Sequence, residues 1–264
     1  MTSVPQLLKE KHKGSWNVKL NIDHKVTMLN HNWQAFLLTA FLSVVWLRLV
    51  DFIAHKGWID SPLSRKIIHI GTGPIFVLCW LFFNPAPGAR FLAAIIPLMI
   101  TVQFALIGFG VIKDQASVDS MSRSGDPKEI LRGPLYYGIV FVILTLVFWK
   151  DSPVGIIALM MLCGGDGMAD LIGKRYGKVK LPWSPEKSVA GTMAVFVAGF
   201  LLSLFVFGIY SLLDGGFQPF GQHIMPVFVI SLVASLVESL PFHDIDNITV
   251  PGVSVLLGLL LYSL

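Results

Sequence analysis

The sequence predicts an all-α, multi-pass integral membrane protein with seven to eight transmembrane helices, and three observations predict it. Long stretches carry no Lys, Arg, Asp or Glu: 22 residues at 91–112, 25 at Val189–Leu213 and 21 at 217–237. Each is long enough to cross a hydrocarbon core of roughly 30 Å as a helix. Only 14% of the 264 residues are charged while 54% are hydrophobic, whereas soluble domains run nearer about a quarter charged. The alternating apolar–polar pattern of a membrane β-barrel is absent, which leaves helices to satisfy the backbone in lipid.

In chain order, residues 1–32 read as a polar tail carrying Lys9, Lys11, Lys13, Lys19 and Lys25. The tail lacks the apolar stretch and cleavage signature of a secretory signal. Residues 33–264 read as one membrane-embedded domain. Spans are expected near 33–47, 67–83, 91–112, 133–149, 153–163, Val189–Leu213, 217–237 and 249–264. Cys79 and Cys163 lie in apolar surroundings and read as two free buried thiols, with neither a disulfide framework nor metal spacing.

Eight spans put the odd-numbered connections on one face. These hold twelve Lys and Arg, including Arg65, Lys66, Arg123, Arg132, Lys174, Arg175 and Lys187. The even connections hold two, Arg90 and Lys150. The odd face is therefore expected to be cytoplasmic or stromal, although the tail lysines oppose that assignment. All clusters with chemical potential fall on this face. An anion transporter, the alternative from another class, would place its polar groups at the bilayer midplane.

The densest cluster is 163–192. Asp166 and Asp170 are four residues apart, so one helical face carries both carboxylates. Mg²⁺ prefers such hard oxygen ligands, taking one or two carboxylates plus substrate phosphates. Acids at membrane depth are costly without a use. Lys174 and Arg175 can neutralise them. Ser184 followed by Pro185 has the form of a helix start, with Ser184 as the N-cap. That reading aims the positive end of span 6, with Lys187 and Ser188 in its first turn, at a bound phosphate.

Other odd-face segments add to it. Ser61-Pro62 opens a helix carrying Arg65, Lys66 and His69. Asp126 and Glu129 have capping-box spacing and lead through Arg132 to Tyr136 and Tyr137. Glu238 ends an apolar run and joins the metal-ligand candidates; Asp246 and Asn247 follow.

These residues resemble a known family. GDGMADLIGKRYG at 165–177 and LPWSPEKSVAGT at 181–192 are similar to the nucleotide-site segment of the polyprenol kinases, which include dolichol, phytol and farnesol kinases. RKIIH at 65–69, SGDPKEILRGPLYYG at 124–138 and ESLPFHDIDNITVP at 238–251 resemble the phytol kinase branch. The resemblance implies phosphate transfer from CTP, or another nucleoside triphosphate, to a long isoprenoid alcohol such as phytol, in the route that recycles phytol toward tocopherol. It implies Mg²⁺ and a cyanobacterial or plastid membrane.

On that basis Asp166, Asp170, Lys187 and His69 are the catalytic candidates, and Asp166, Asp170 and Glu238 the metal ligands. Arg65, Lys66, Arg123, Arg132, Lys174, Arg175, Ser184, Lys187 and Ser188 are the nucleotide-binding candidates. Glu129, Tyr136, Tyr137, Asp246 and Asn247 are the substrate contacts. The expected partners are the alcohol, the triphosphate and the bilayer, with no nucleic acid; small residues on spans 5 and 6 could pack within one chain or in a homo-oligomer. A CTP-dependent diacylglycerol kinase and a phosphatidate-type cytidylyltransferase are the alternatives within enzyme chemistry.

Overall fold

The computed structural model describes residues 31–122, 124–213, 216–242 and 245–263. The tail lysines, Arg123 and Asp244 lie outside the described residues. Among the described residues, eight helices are long and apolar enough to cross a membrane, the upper end of the predicted count, and the protein is an integral membrane protein.

The chain runs α1 (Asn32–His55), α2 (Ser61–Cys79), α3 (Ala89–Gly108) and a short α4 (Gln115–Met121). A 3₁₀ turn (Pro127–Leu131) leads into α5 (Gly133–Phe148). The fifth span is composite: α6 (Pro153–Met160), a π-helical segment (Met161–Gly165) and α7 (Asp166–Tyr176). A two-stranded ribbon, β1 (Lys180–Leu181) with β2 (Ser184–Ser188), precedes α8 (Val189–Leu213), α9 (Gly221–Glu238) and α10 (Asp246–Ser263).

The composite fifth span is the central rod. Its most apolar window is 67% buried, against 11% for α1. The π segment packs against α2, α8, α9 and α10. Glycines let those neighbours close in. A Cβ on Gly199 of α8 would strike Met161, and one on Gly73 of α2 would strike the Cys163 sulfur. The small residues of spans 5 and 6 thus pack within the chain, Gly173 against Gly191 and Ser188. α1 lies outermost against α2 and α3, and turns Trp33, Leu37, Phe41 and Phe52 outward. In a membrane those side chains meet lipid rather than water.

At the even-loop end, Trp149 packs on Trp80 at a tilt and meets Phe83 edge-on, with ring centroids 5.0 and 5.7 Å away. Lys150 is buried beside them and donates to the Phe83 carbonyl at 2.8 Å. That lysine closes the even face and plays no part in the odd-face cluster. Cys79 and Cys163 are both free and buried.

α2 opens at Ser61-Pro62 as expected, capped by Asp60, which accepts from the Leu63 amide at 2.8 Å. Two other starts differ from the sequence expectation. Asp126 caps its 3₁₀ turn through the Lys128 amide, but Glu129 does not close a capping box; it accepts from the amide and hydroxyl of Ser124. Ser184 is no helix cap. It begins β2, and the α8 cap is Ser188, whose hydroxyl accepts from the Gly191 amide at 3.2 Å. Tertiary contact overrides the local signal here. Pro185 sits in a two-stranded ribbon, where its missing N–H is tolerated. The extended path lets Trp183 and Lys187 reach the end of α9.

Gly73→Ala should lower stability by about 1–3 kcal/mol, because the Cβ meets a fixed Cys163 and not a flexible chain end. Gly88→Ala, where a Cβ meets nothing within 4 Å, should leave it unchanged. Thermal unfolding of both variants in detergent makes the comparison.

Candidate functional site at the odd-loop rim

The site is assembled from five elements at one end of the bundle. α2 supplies Lys66 and His69, three apart and so on one face. α7 supplies Asp166, Asp170 and Lys174, again one face at successive turns. β2 supplies Lys187, α9 supplies Glu238 and α10 supplies Asp246. Gly167 makes this possible: a Cβ there would strike Ile70, so only glycine lets α7 lie this close to α2.

The charges are matched across elements. His69 Nε2 lies 3.3 Å from Asp166 Oδ2 and 3.2 Å from the Leu162 carbonyl oxygen. Lys66 Nζ lies 3.5 Å from Asp170 Oδ2. Lys174 lies 3.0 Å from Asp170, an i,i+4 pair whose lysine is largely exposed and which contributes about 0.3–0.5 kcal/mol. Lys187 Nζ is 3.0 Å from Glu238 Oε1 and 3.9 Å from Asp246 Oδ2, and also donates to the Glu238 carbonyl. The Glu238 side chain is only 7% exposed and the Lys187 side chain 19%, so this pair is poorly hydrated. Asp166 is also near enough to Glu238 and Asp246 for its charge to bear on both, so the α7 acids and the α9–α10 acids lie at the same rim.

Two features were not visible in the sequence. The π turn places the Leu162 carbonyl within reach of the His69 ring; such turns recur at functional sites, and Gly164-Gly165 was the available signal. The ribbon is pinned to the end of α9 by Trp183 Nε1, which lies 3.2 Å from both the carbonyl and the hydroxyl of Ser239. The last carbonyls of α9 thus find side-chain donors.

The remaining candidates take these places. Arg65 donates to the Ser122 carbonyl at 2.8 Å and ties α2 to the third connection. Arg132 is exposed at the start of α5. Arg175 is exposed and stacks over Tyr176, 5.6 Å from the ring centroid, off the carboxylate face. Ser184 is buried and Ser188 is taken up by the α8 cap. Asn247 donates to the Gly133 carbonyl at 3.3 Å. Tyr136 is half-buried in the first turn of α5. Tyr137 packs on His69, and its hydroxyl meets the His69 carbonyl and the Cys163 sulfur.

Among the described residues, no three His, Cys, Asp or Glu side chains converge as a protein-made metal cage. The donor set still fits Mg²⁺ arriving with a triphosphate, which needs only one or two protein carboxylates. A separate apolar groove of about 300 Å³ lies among Ile70, Gly164, Met168, Leu202 and Phe205. It sits beyond the Gly167–Ile70 contact, on a different face of α7 from the two aspartates.

Comparison with known proteins gives a consistent set of relatives. The chain is 39% identical over 239 residues to a probable chloroplastic phytol kinase of Triticum aestivum, covering 90% of this chain and 80% of that one. It is 39% identical to the chloroplastic farnesol kinase of Arabidopsis thaliana, over 86% of this chain and 75% of that one. Phytol kinase 1 of the same plant is 37% identical over 81% and 71%. No protein-family model and no solved structure matches the chain.

Lys187→Met should destabilise the protein by about 3 kcal/mol, because it strands the Glu238 carboxylate in a poorly hydrated place. Lys187→Met/Glu238→Gln should recover most of that loss. Unfolding midpoints of the single and double variants in detergent measure the difference.

Proposed function

This chain belongs to the polyprenol kinase family, the family of phytol and farnesol kinases, and from that premise we propose that it phosphorylates the hydroxyl of a long-chain isoprenoid alcohol. Phytol is the preferred acceptor and CTP the preferred donor in this reading. The observation that carries it is the placement of acids, lysines and a histidine at one rim of an otherwise apolar bundle. An alcohol dissolved in the bilayer can present its hydroxyl at that rim, while a soluble triphosphate approaches from water. The working membrane is of plastid or cyanobacterial type, as in the chloroplastic relatives, with the rim on the stromal or cytoplasmic side.

In this mechanism the alcohol oxygen attacks the γ-phosphorus. The bond from that phosphorus to the bridging oxygen breaks, and the nucleoside diphosphate leaves with the electron pair. The hydroxyl proton passes to the His69–Asp166 pair: His69 Nε2 carries the hydrogen it directs at Asp166 Oδ2 and the Leu162 carbonyl, so Nδ1 is the accepting nitrogen, and Asp166 steadies the charge that forms on the ring. Lys66, Lys174 and Lys187 exchange their carboxylate partners for phosphate oxygens. Catalysis of this kind rests mainly on positioning and charge stabilisation. Mg²⁺, held by Asp166 or Asp170 with Glu238, would neutralise charge on the phosphate oxygens.

The test uses purified protein in detergent with γ-labelled CTP or ATP and phytol, farnesol, dolichol or diacylglycerol. The reading predicts a labelled isoprenoid monophosphate and release of the nucleoside diphosphate. Pyrophosphate release, or label only on diacylglycerol, would overturn it. Asp166→Asn should cut turnover by about 10²- to 10⁴-fold while the unfolding midpoint stays within a few degrees of wild type.

A further inference from the structure

Tyr137 meets the site, among the described residues, through His69. Its ring packs on the imidazole with centroids 4.5 Å apart and planes tilted by 39°. Its other side rests on Phe141, at 4.7 Å. Its hydroxyl lies 3.1 Å from the His69 carbonyl oxygen and 3.2 Å from Cys163 Sγ.

The hydrogen count fixes the direction of these bonds. A carbonyl can only accept, so the one phenolic proton goes to the His69 carbonyl, and the Cys163 thiol donates to the phenolic oxygen. The chain of donors runs from Cys163 on the π segment through Tyr137 on α5 to the backbone of His69 on α2. Gly73, one turn beyond His69, lies directly against the Cys163 sulfur. Three elements are joined at one small buried joint.

The joint has a consequence for the reactive ring. His69 Nε2 faces two acceptors at similar range, Asp166 Oδ2 at 3.3 Å and the Leu162 carbonyl at 3.2 Å. A modest rotation of the ring, or a slide of α2 along the π segment, would choose between them. Leu162 and Cys163 are adjacent, so the joint fixes the π segment and His69 relative to each other.

We infer that Tyr137, with Cys163, is a positioning residue that holds the His69 imidazole in line with Asp166 and makes no contact with substrate. The inference rests on the role of His69 as proton acceptor in the proposed reaction. A direct substrate contact by Tyr137 would instead raise the KM of the alcohol.

The test has one arm that needs no activity. In protein carrying labelled histidine, the His69 imidazole signal is assigned by its loss in His69→Gln. Tyr137→Phe keeps the ring stack and removes the clamp, so the His69 signal should shift or broaden in substrate-free protein. In the kinetic arm, Tyr137→Phe should lower kcat by about tenfold to a hundredfold, the scale of a small misplacement at a reacting group. Both KM values should stay within about twofold. In a His69→Gln background the same change should cost nothing further, because residues that act as one unit are not additive.

An unmoved His69 signal, a raised alcohol KM with unchanged kcat, or a full kcat loss in the His69→Gln background would each overturn the inference. A shifted signal in a protein that phosphorylates no isoprenoid alcohol would instead sink the proposed function and leave the clamp standing.

Discussion

A carboxylate at the rim of a bilayer must find a cation or a proton, and that constraint organises this protein. Four acids meet there, Asp166, Asp170, Glu238 and Asp246, and each is matched by a nitrogen from another element. Isolated acids at membrane depth are costly. Their partners therefore decide how the helices sit: α2 against α7 through Lys66 and His69, and the ribbon against α9 and α10 through Lys187. The same matching leaves the rim ready for exchange. In the proposed reaction a triphosphate would take the lysines, and the released acids would serve a metal ion or a proton.

The central rod makes the matching geometrically possible. A continuous α-helix from Pro153 to Tyr176 would keep every carbonyl in its own ladder. The π turn at Met161–Gly165 interrupts that ladder where α2, α8, α9 and α10 converge, and places the Leu162 carbonyl beside His69. Glycines on α2, α7 and α8 then permit the approach. Packing and chemistry meet in one segment, so a change such as Gly73→Ala acts on both.

The spans were legible in the sequence because hydrocarbon leaves no alternative to long apolar helices. So was the shared face of Asp166 and Asp170, because spacing four fixes it. The partners were not legible. Lys66 with Asp170 and Lys187 with Glu238 are joined only by tertiary packing, across long sequence separations. The Ser184-Pro185 start was misleading for the same reason: its local chemistry suits a helix cap, but Trp183 and Lys187 gain their contacts on α9 only from an extended ribbon. Tyr137 read as an interfacial substrate contact, and its packing on His69 and its bonds to the His69 carbonyl and Cys163 arise only from tertiary structure.

In the proposed phosphoryl transfer the α7 half and the α9–α10 half of the rim act as one unit. The most direct measurement is the turnover of Asp166→Asn, Glu238→Gln and the double variant on the same isoprenoid alcohol. The double variant should be about as slow as the worse single one, as for groups that work together. Losses that multiply, as for independent sites, would contradict it.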